Sequence, residues 1–292
     1  MADSSESTID QVRQWLAETE FSSDSYKTKR GHALVIAGSE TYSGAAVLAG
    51  NAAMRSGVGI VTLAVPAAIR SEVAARALPE VIVRSITKGL EWLPIVDSIL
   101  VGCGLDENDR DVEEFVHEII DNRLTPVIID ATAINFIVEG LQSSEKPPLI
   151  LTPHEGEFLR LIGAEKDAIK DRIATVSEYA ISNNVILVLK GERVIIGSPD
   201  GRFVVNPTGN SGLGKAGNGD TLAGILVGFV AQAVKFDIDI FNTVTVAVYI
   251  AGMAGDIAEK KYGKRVMTAS DVRECLVDVF AEFEPRFKPA VS

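Results

Sequence analysis

The chain has few of the residues that build a disulfide scaffold or a zinc centre. Of its 292 residues only two are cysteine, Cys103 and Cys275, far apart and without a partner motif. That count argues against a disulfide framework and makes reduced thiols in a cytoplasmic protein the expectation. The three histidines, His32, His117 and His154, are scattered, so their spacing assembles no zinc-type ligand set. Positive charge is also scarce: 28 Lys and Arg stand against 40 Asp and Glu, a formal net charge of −12. Proteins that follow a nucleic-acid backbone display basic patches, so that class of partner is not expected. An anionic ligand must instead be met locally, by backbone N–H groups and a few lysines. A secretory leader is not expected either, since MADSSESTID is acidic and polar without an apolar core. The longest uncharged run, Ile240 to Gly255, is short for a membrane span and contains Asn242 and two threonines. It reads as a buried core helix of a soluble protein.

What is present is ordinary for a globular chain, with 47% hydrophobic and 23% charged residues. Short apolar runs suited to buried parallel strands recur: HALVIAG, GIVTLAV, SILVG, PVIID, PLILT and VILVLKG. Helical stretches are expected at 8–20, 44–56, 67–78, 108–122, 155–162 and 167–183. This alternation predicts an α/β fold with a mostly parallel central sheet and helices on both faces. Ligands of such sheets bind at the C-terminal strand ends. After Val194 the rhythm changes. ERVIIG and RFVVN, joined by SPDG, form a hairpin pattern, and three C-terminal helices are expected at about 217–234, 240–261 and 269–283. No linker divides the sequence, so we expect an N-terminal helix and connector over 1–25 and one domain over 26–292.

The densest glycine segment is NPTGNSGLGKAGNGD, residues 206–220, just before a helix whose apolar face is Leu222, Ile225, Leu226, Phe229 and Val230. Gly217, Asn218 and Gly219 therefore precede a first turn whose free N–H groups attract an anion. Asp220 has two readings there: a helix cap, or a carboxylate that takes the proton of a hydroxyl attacking a phosphate. GNSGLGKA comes close to the G-x-x-x-x-G-K-[ST] phosphate loop, but Ala216 lacks the hydroxyl that would hold magnesium. The overlapping G-x-G-x-x-G of Gly212, Gly214 and Gly217 is followed by helices instead of a strand carrying a ribose-binding acid, so the dinucleotide reading fails too. Lys190, before Gly191, ends a strand at the ligand edge and is either a ligand contact or a solvated lysine. His154, in TPHEGE between two carboxylates, is either structural or ligand-binding. Gly38-Ser39 through Tyr42, Gly44 and Ala45, and Gly102 with Gly104, are glycine turns at strand ends.

Taken in order, GSETYSGAAVLAGNAAMRSGVGIVTLAVP, GCGL, LTPHEGEFLRL, VLKGERVI, GNSGLGKAGNGDTLAGIL and the late TASDV resemble the NAD(P)H-hydrate dehydratase family of the ribokinase-like superfamily. The resemblance covers about residues 26–283. It implies a ribokinase-like fold and dehydration of the S-epimer of hydrated NADH or NADPH back to the intact cofactor. Phosphorylation of the ring hydroxyl by ADP or ATP with Mg2+ precedes loss of phosphate. By position it implies Asp220 as the base and a substrate contact. It implies nucleotide contacts at Lys190, Gly191, Glu192, Arg193 and Val194, and at Asn210, Ser211, Gly212, Gly214, Lys215, Gly217, Asn218 and Gly219. Substrate contacts are implied at Ala45, Gly104, His154 and Glu157, with His154 standing where the superfamily's Asn-x-x-Glu, which acts near magnesium, has Asn. The resemblance further implies a homo-oligomer such as a tetramer, and pairing with a separate NAD(P)H-hydrate epimerase. Two departures stand in the phosphate loop: Ala216 replaces a glycine of the family pattern, and Asn218 replaces Ser or Thr. The rival reading is a small-molecule kinase of the hydroxyethylthiazole or sugar type that releases its phosphorylated product.

The two readings of Asp220 separate experimentally. Asp220→Asn should leave nucleotide binding largely intact while removing most turnover, and turnover equal to the parent would refute the base assignment. A working phosphate-loop lysine would instead make Lys215→Ala the more damaging change.

Overall fold

The computed structural model describes residues 4–86, 95–138, 141, 146–166 and 168–284. Its nine strands are β1 (His32–Ile36), β2 (Ile60–Val65), β3 (Ile82–Ser85), β4 (Ser98–Val101), β5 (Val127–Ile129), β6 (Leu149–Leu151), β7 (Val185–Leu189), β8 (Ile195–Gly197) and β9 (Phe203–Val205). They form one sheet in the order β3-β2-β1-β4-β5-β6-β7-β8-β9. Pairing is parallel from β3 across to β7, and antiparallel through β8 and β9. The helices are α1 (Ser4–Glu18), α2 (Ser43–Arg55), α3 (Arg70–Arg76), α4 (Arg110–Asn122), α5 (Thr132–Phe136), α6 (Glu155–Leu161), α7 (Arg172–Asn183), α8 (Asn218–Phe236), α9 (Ile240–Tyr262), α10 (Ala269–Glu274) and α11 (Leu276–Phe283).

Side-chain alternation along the strands divides the core into two layers. Ala33, Val35, Leu63, Leu100, Ile128, Ile150 and Ile186 face the layer built with α2, α8 and α9. Leu34, Ile36, Ile99, Val101, Val127, Ile129, Leu149 and Leu187 face the layer containing side chains of α4, α5, α6 and α7. Both faces are covered, which is why these strands read as near-continuous apolar runs.

Several expectations are corrected in detail. The sheet has an added edge strand, β3, whose VRS sequence and half-exposed pattern hide it from a search for buried runs. A five-residue helix, α5, follows β5 directly. The last expected helix breaks at Cys275 into α10 and α11, so among the described residues four α-helices follow the hairpin. Of the stretch 167–183, Asp167 lies outside the described residues. The helix there begins at Arg172, where the Asp171 carboxylate accepts from Ala174 N–H at 3.0 Å. At 23 residues α9 is long enough to cross a bilayer, as is α8 at 19. Length does not exclude a span here. Burial decides: 67% of the apolar window of α8 and 72% of that of α9 lie inside the protein.

The N-terminal helix joins the same core. Trp15 is 3% exposed. Its ring stacks on Phe229 of α8 at 4.5 Å, and its indole N–H donates to Thr243 Oγ1 of α9 at 3.1 Å. Trp15→Ala removes the stack, the apolar burial and the hydrogen bond together. A loss of about 3–5 kcal/mol in a denaturant titration is expected. A loss below ~1 kcal/mol, the scale of ordinary surface changes, would show that α1 is peripheral.

Candidate active site

The C-terminal ends of β4 to β7 meet the first turn of α8 along one edge of the sheet. Gly217 caps α8 with φ 91°, and a Cβ there would lie 2.6 Å from Leu48 Cδ1. Only glycine satisfies both demands. The Asn218 N–H donates to the Lys215 carbonyl at 3.4 Å, while those of Gly219 and Asp220 belong to the unpaired set opening any α-helix, at the positive end of its dipole. Two side-chain atoms of this turn, Asn218 Oδ1 and Thr221 Oγ1, are buried without a hydrogen-bond partner. Buried polar atoms in a cleft wall are costly unless a ligand or water meets them. The turn is therefore built to receive a polar group.

Against it sits a charged cluster. Asp130, 1% exposed, follows β5. Its Oδ1 accepts from Lys190 Nζ at 2.7 Å and from Thr152 Oγ1 at 2.7 Å, and its Oδ2 accepts from the Cys103 thiol at 3.4 Å. Asp220 completes the group: it, Cys103 and Asp130 each offer an atom within 4.8 Å of the others. Lys190 Nζ also approaches the helix entrance, lying 3.5 Å from where a Cβ on Gly219 would be. Burial, with Asp130 as a second negative charge nearby, pushes the Asp220 carboxyl up to about 6, against the opposing influence of the Cys103 thiol and the Lys190 ammonium. Burial and the two carboxylates drive the Cys103 thiol well up, so it stays protonated. Burial works against the charge on Lys190, but Asp130 holds its ammonium above the ordinary lysine range. A carboxylate tuned towards neutrality, beside free helix N–H groups and an ammonium, suits proton abstraction next to a phosphoryl group.

The same trio does not fit a magnesium ion held by the protein alone. The Lys190 ammonium already balances Asp130, and a thiol suits softer metals than Mg2+.

A cleft of about 1280 Å³ runs from this cluster along the hairpin to α9. It is lined by His154, by Lys190, Gly191, Glu192, Arg193 and Val194, and by Asn210, Ser211, Gly214, Lys215, Asn218 and Gly219. Val194, Val205, Leu222, Ile225 and Val248 supply an apolar wall, and Asn206 and Thr208 supply polar groups. The loop before α8 is tied to α9: the Asp256 carboxylate accepts from Gly209 N–H at 2.9 Å and from Asn210 Nδ2 at 3.0 Å. Asn210 Oδ1 accepts in turn from Gly212 N–H at 2.8 Å, and Gly212 is buried below the cleft surface. The Lys215 ammonium donates to the carbonyls of Arg265 at 2.5 Å and Met267 at 2.9 Å. Asn210 and Lys215 thus shape the loop with their polar ends.

Ala45 and Gly104 are neighbours, since a Cβ on Gly104 would come within 2.7 Å of Ala45 Cβ. His154 and Glu157 form a capping box at the start of α6. His154 N–H donates to Glu157 Oε2 at 2.7 Å, and Glu157 N–H donates to His154 Nδ1 at 3.1 Å. Nδ1 is therefore the acceptor nitrogen, and Nε2 carries the proton 3.4 Å from Glu157 Oε1. Sequence reasoning missed Asp130, Cys103 and Thr152. A signal existed for Asp130, a lone charge closing the wholly apolar run PVII, at the strand-end position that Lys190 occupies on β7.

The profile of a family described as NAD(P)H-hydrate dehydratase matches residues 33–277. A bifunctional NAD(P)H-hydrate repair enzyme of Moorella thermoacetica is 33% identical over 91% of this chain and 52% of its own length. The chain thus spans about half of that relative. An ADP-dependent (S)-NAD(P)H-hydrate dehydratase of Bacillus subtilis is 32% identical over 95% of this chain and 98% of its own. The crystal structure of the Bacillus subtilis ADP/ATP-dependent NAD(P)H-hydrate dehydratase with ATP/Mg2+ superposes with TM-score 0.84 at 30% identity, covering 94% of this chain and 97% of that one.

Only ionised Asp220 accepts a proton, so turnover should hold above about 6 and fall roughly tenfold per pH unit below it. The measurement is kcat/KM against pH. An acidic limb at the ordinary aspartate value of 3.8 would remove Asp220 from the role of base.

Proposed function

Because the chain belongs to the NAD(P)H-hydrate dehydratase family, we propose that it converts the S-epimer of hydrated NADH or NADPH back to NADH or NADPH, with ADP as the phosphoryl donor. The observation that carries this reading is the half-buried Asp220, raised in proton affinity, at the mouth of α8 and beside the Lys190 ammonium. Asp220 takes the proton of the ring hydroxyl as that oxygen attacks the terminal phosphorus. The N–H groups of the first turn of α8 and the Lys190 ammonium stabilise the charge gathering on the transferring group. Once phosphorylated, the ring oxygen leaves as phosphate, a far better leaving group than hydroxide. Loss of the neighbouring ring proton, to the departing phosphate or to water, leaves its electron pair to restore the double bond. Ala45 and Gly104, with no side chain beyond a methyl group, leave room for the substrate beside the strand ends.

The cleft along the hairpin fits the nucleotide: an apolar wall for a base, polar loop atoms, and the Thr221 hydroxyl, unpartnered and able to donate, at the phosphate end. Mg2+ belongs with the nucleotide and supplies neutralisation of phosphate charge. ADP is favoured by the name of the Bacillus subtilis relative and by its coverage of nearly the whole chain. We further propose a cytoplasmic homo-oligomer such as a tetramer. A separate epimerase would supply the S-epimer, a pairing in keeping with the bifunctional relatives.

Incubating the purified chain with ADP, Mg2+ and hydrated NADH should restore the near-ultraviolet absorbance of the reduced nicotinamide, with one phosphate released per cofactor recovered. A phosphorylated product that accumulates without that recovery would identify a kinase instead.

A further inference from the structure

Asp130 has no place in the proposed chemistry as a contact, because it is sealed from the cleft. It nevertheless gathers donors from three strand ends: the Cys103 thiol after β4, the Thr152 hydroxyl after β6 and the Lys190 ammonium after β7. The backbone holds it firmly. Ala131, next in the chain, has φ 50° and ψ −123°, a strained conformation for a residue with a Cβ. Gly102 (φ 129°) packs so closely that a Cβ there would lie 1.8 Å from the Asp130 carbonyl oxygen.

We infer that Asp130 is a positioning residue, which fixes the Lys190 ammonium at the entrance of α8 from a buried carboxylate beside Asp220. Two distances support it, 2.7 Å from Lys190 Nζ to Asp130 and 3.5 Å from Lys190 Nζ to the Cβ position of Gly219. A lysine whose charge is met on one side by a buried carboxylate cannot swing into solvent, so it presents its remaining protons to whatever anion enters the turn. The groups facing Asp220 are Asp130 from β5, Cys103 after β4 and Lys190 from β7, while Glu157 at the start of α6 also faces Lys190. Among them Asp130 is the negative charge that raises Asp220, and Lys190 is the positive one that lowers it. The inference rests on the reading of Asp220 as the base.

Asp130→Asn keeps the shape and an oxygen for Lys190 and Thr152 but removes the charge. The acidic limb of kcat/KM should move down by about one pH unit, and ADP should bind about tenfold more weakly. A purely structural role would lower activity at every pH without moving the limb. A folded variant with the parental limb and ADP affinity would overturn the inference. Should Asp130→Asn not fold, Thr152→Val decides, because it keeps every charge and loosens only the carboxylate. It should raise the KM for ADP about three- to tenfold with the acidic limb in place, and an unchanged KM overturns the proposal. If the parent chain itself shows no repair activity, the function proposed above fails, and calorimetry of ADP binding to the parent and Asp130→Asn still tests this inference. A tenfold weaker affinity supports it and an equal affinity overturns it.

Discussion

A net-acidic protein that handles phosphate must concentrate positive potential in one small place, and here that place is the mouth of α8. Free N–H groups supply part of it at no cost in net charge. The Lys190 ammonium supplies the rest, and it stays where it is needed because the buried Asp130 carboxylate holds it. The remaining architecture serves this contact. Parallel strands bring Cys103, Asp130, Thr152 and Lys190 to one edge, and the packing of α8 over α2 and the sheet brings the helix N-terminus down onto them.

The electrostatics of the cluster are a balance. Two carboxylates near each other in a half-dry site resist being ionised together, which favours a proton on one of them. Lys190 and the protonated Cys103 thiol counter that tendency. The outcome is an aspartate that is ionised at neutral pH yet basic enough to take a proton from a hydroxyl as it attacks. Changing the charge of any one member moves the others, so these residues act as a unit.

Loop rigidity is the second theme. The segment from Asn206 to Gly214 has little regular structure, yet its polar groups are anchored: Thr208 to the Tyr249 carbonyl, Gly209 and Asn210 to Asp256. Lys215, which stands where a phosphate-loop lysine would, is docked on the carbonyls of Arg265 and Met267. Near identity of a motif in one dimension therefore says little about where a charge ends up. The hydrogen-bonding surroundings decide it.

Much was legible in one dimension. Short continuous apolar runs predicted the parallel strands, the glycine cluster before an amphipathic helix predicted an anion site, and the order of motifs pointed to the family and to Asp220. Those features are local, set by backbone sterics, helix ends and side-chain alternation, so the chain order alone determines them. What only the tertiary structure decided is which distant residues share a site. Asp130, Thr152 and Lys190 are separated by long stretches of chain and meet only because their strands lie side by side in register. The half-exposed edge strand β3 and the break at Cys275 likewise depend on neighbours in space, since packing overrides local pattern where burial is partial.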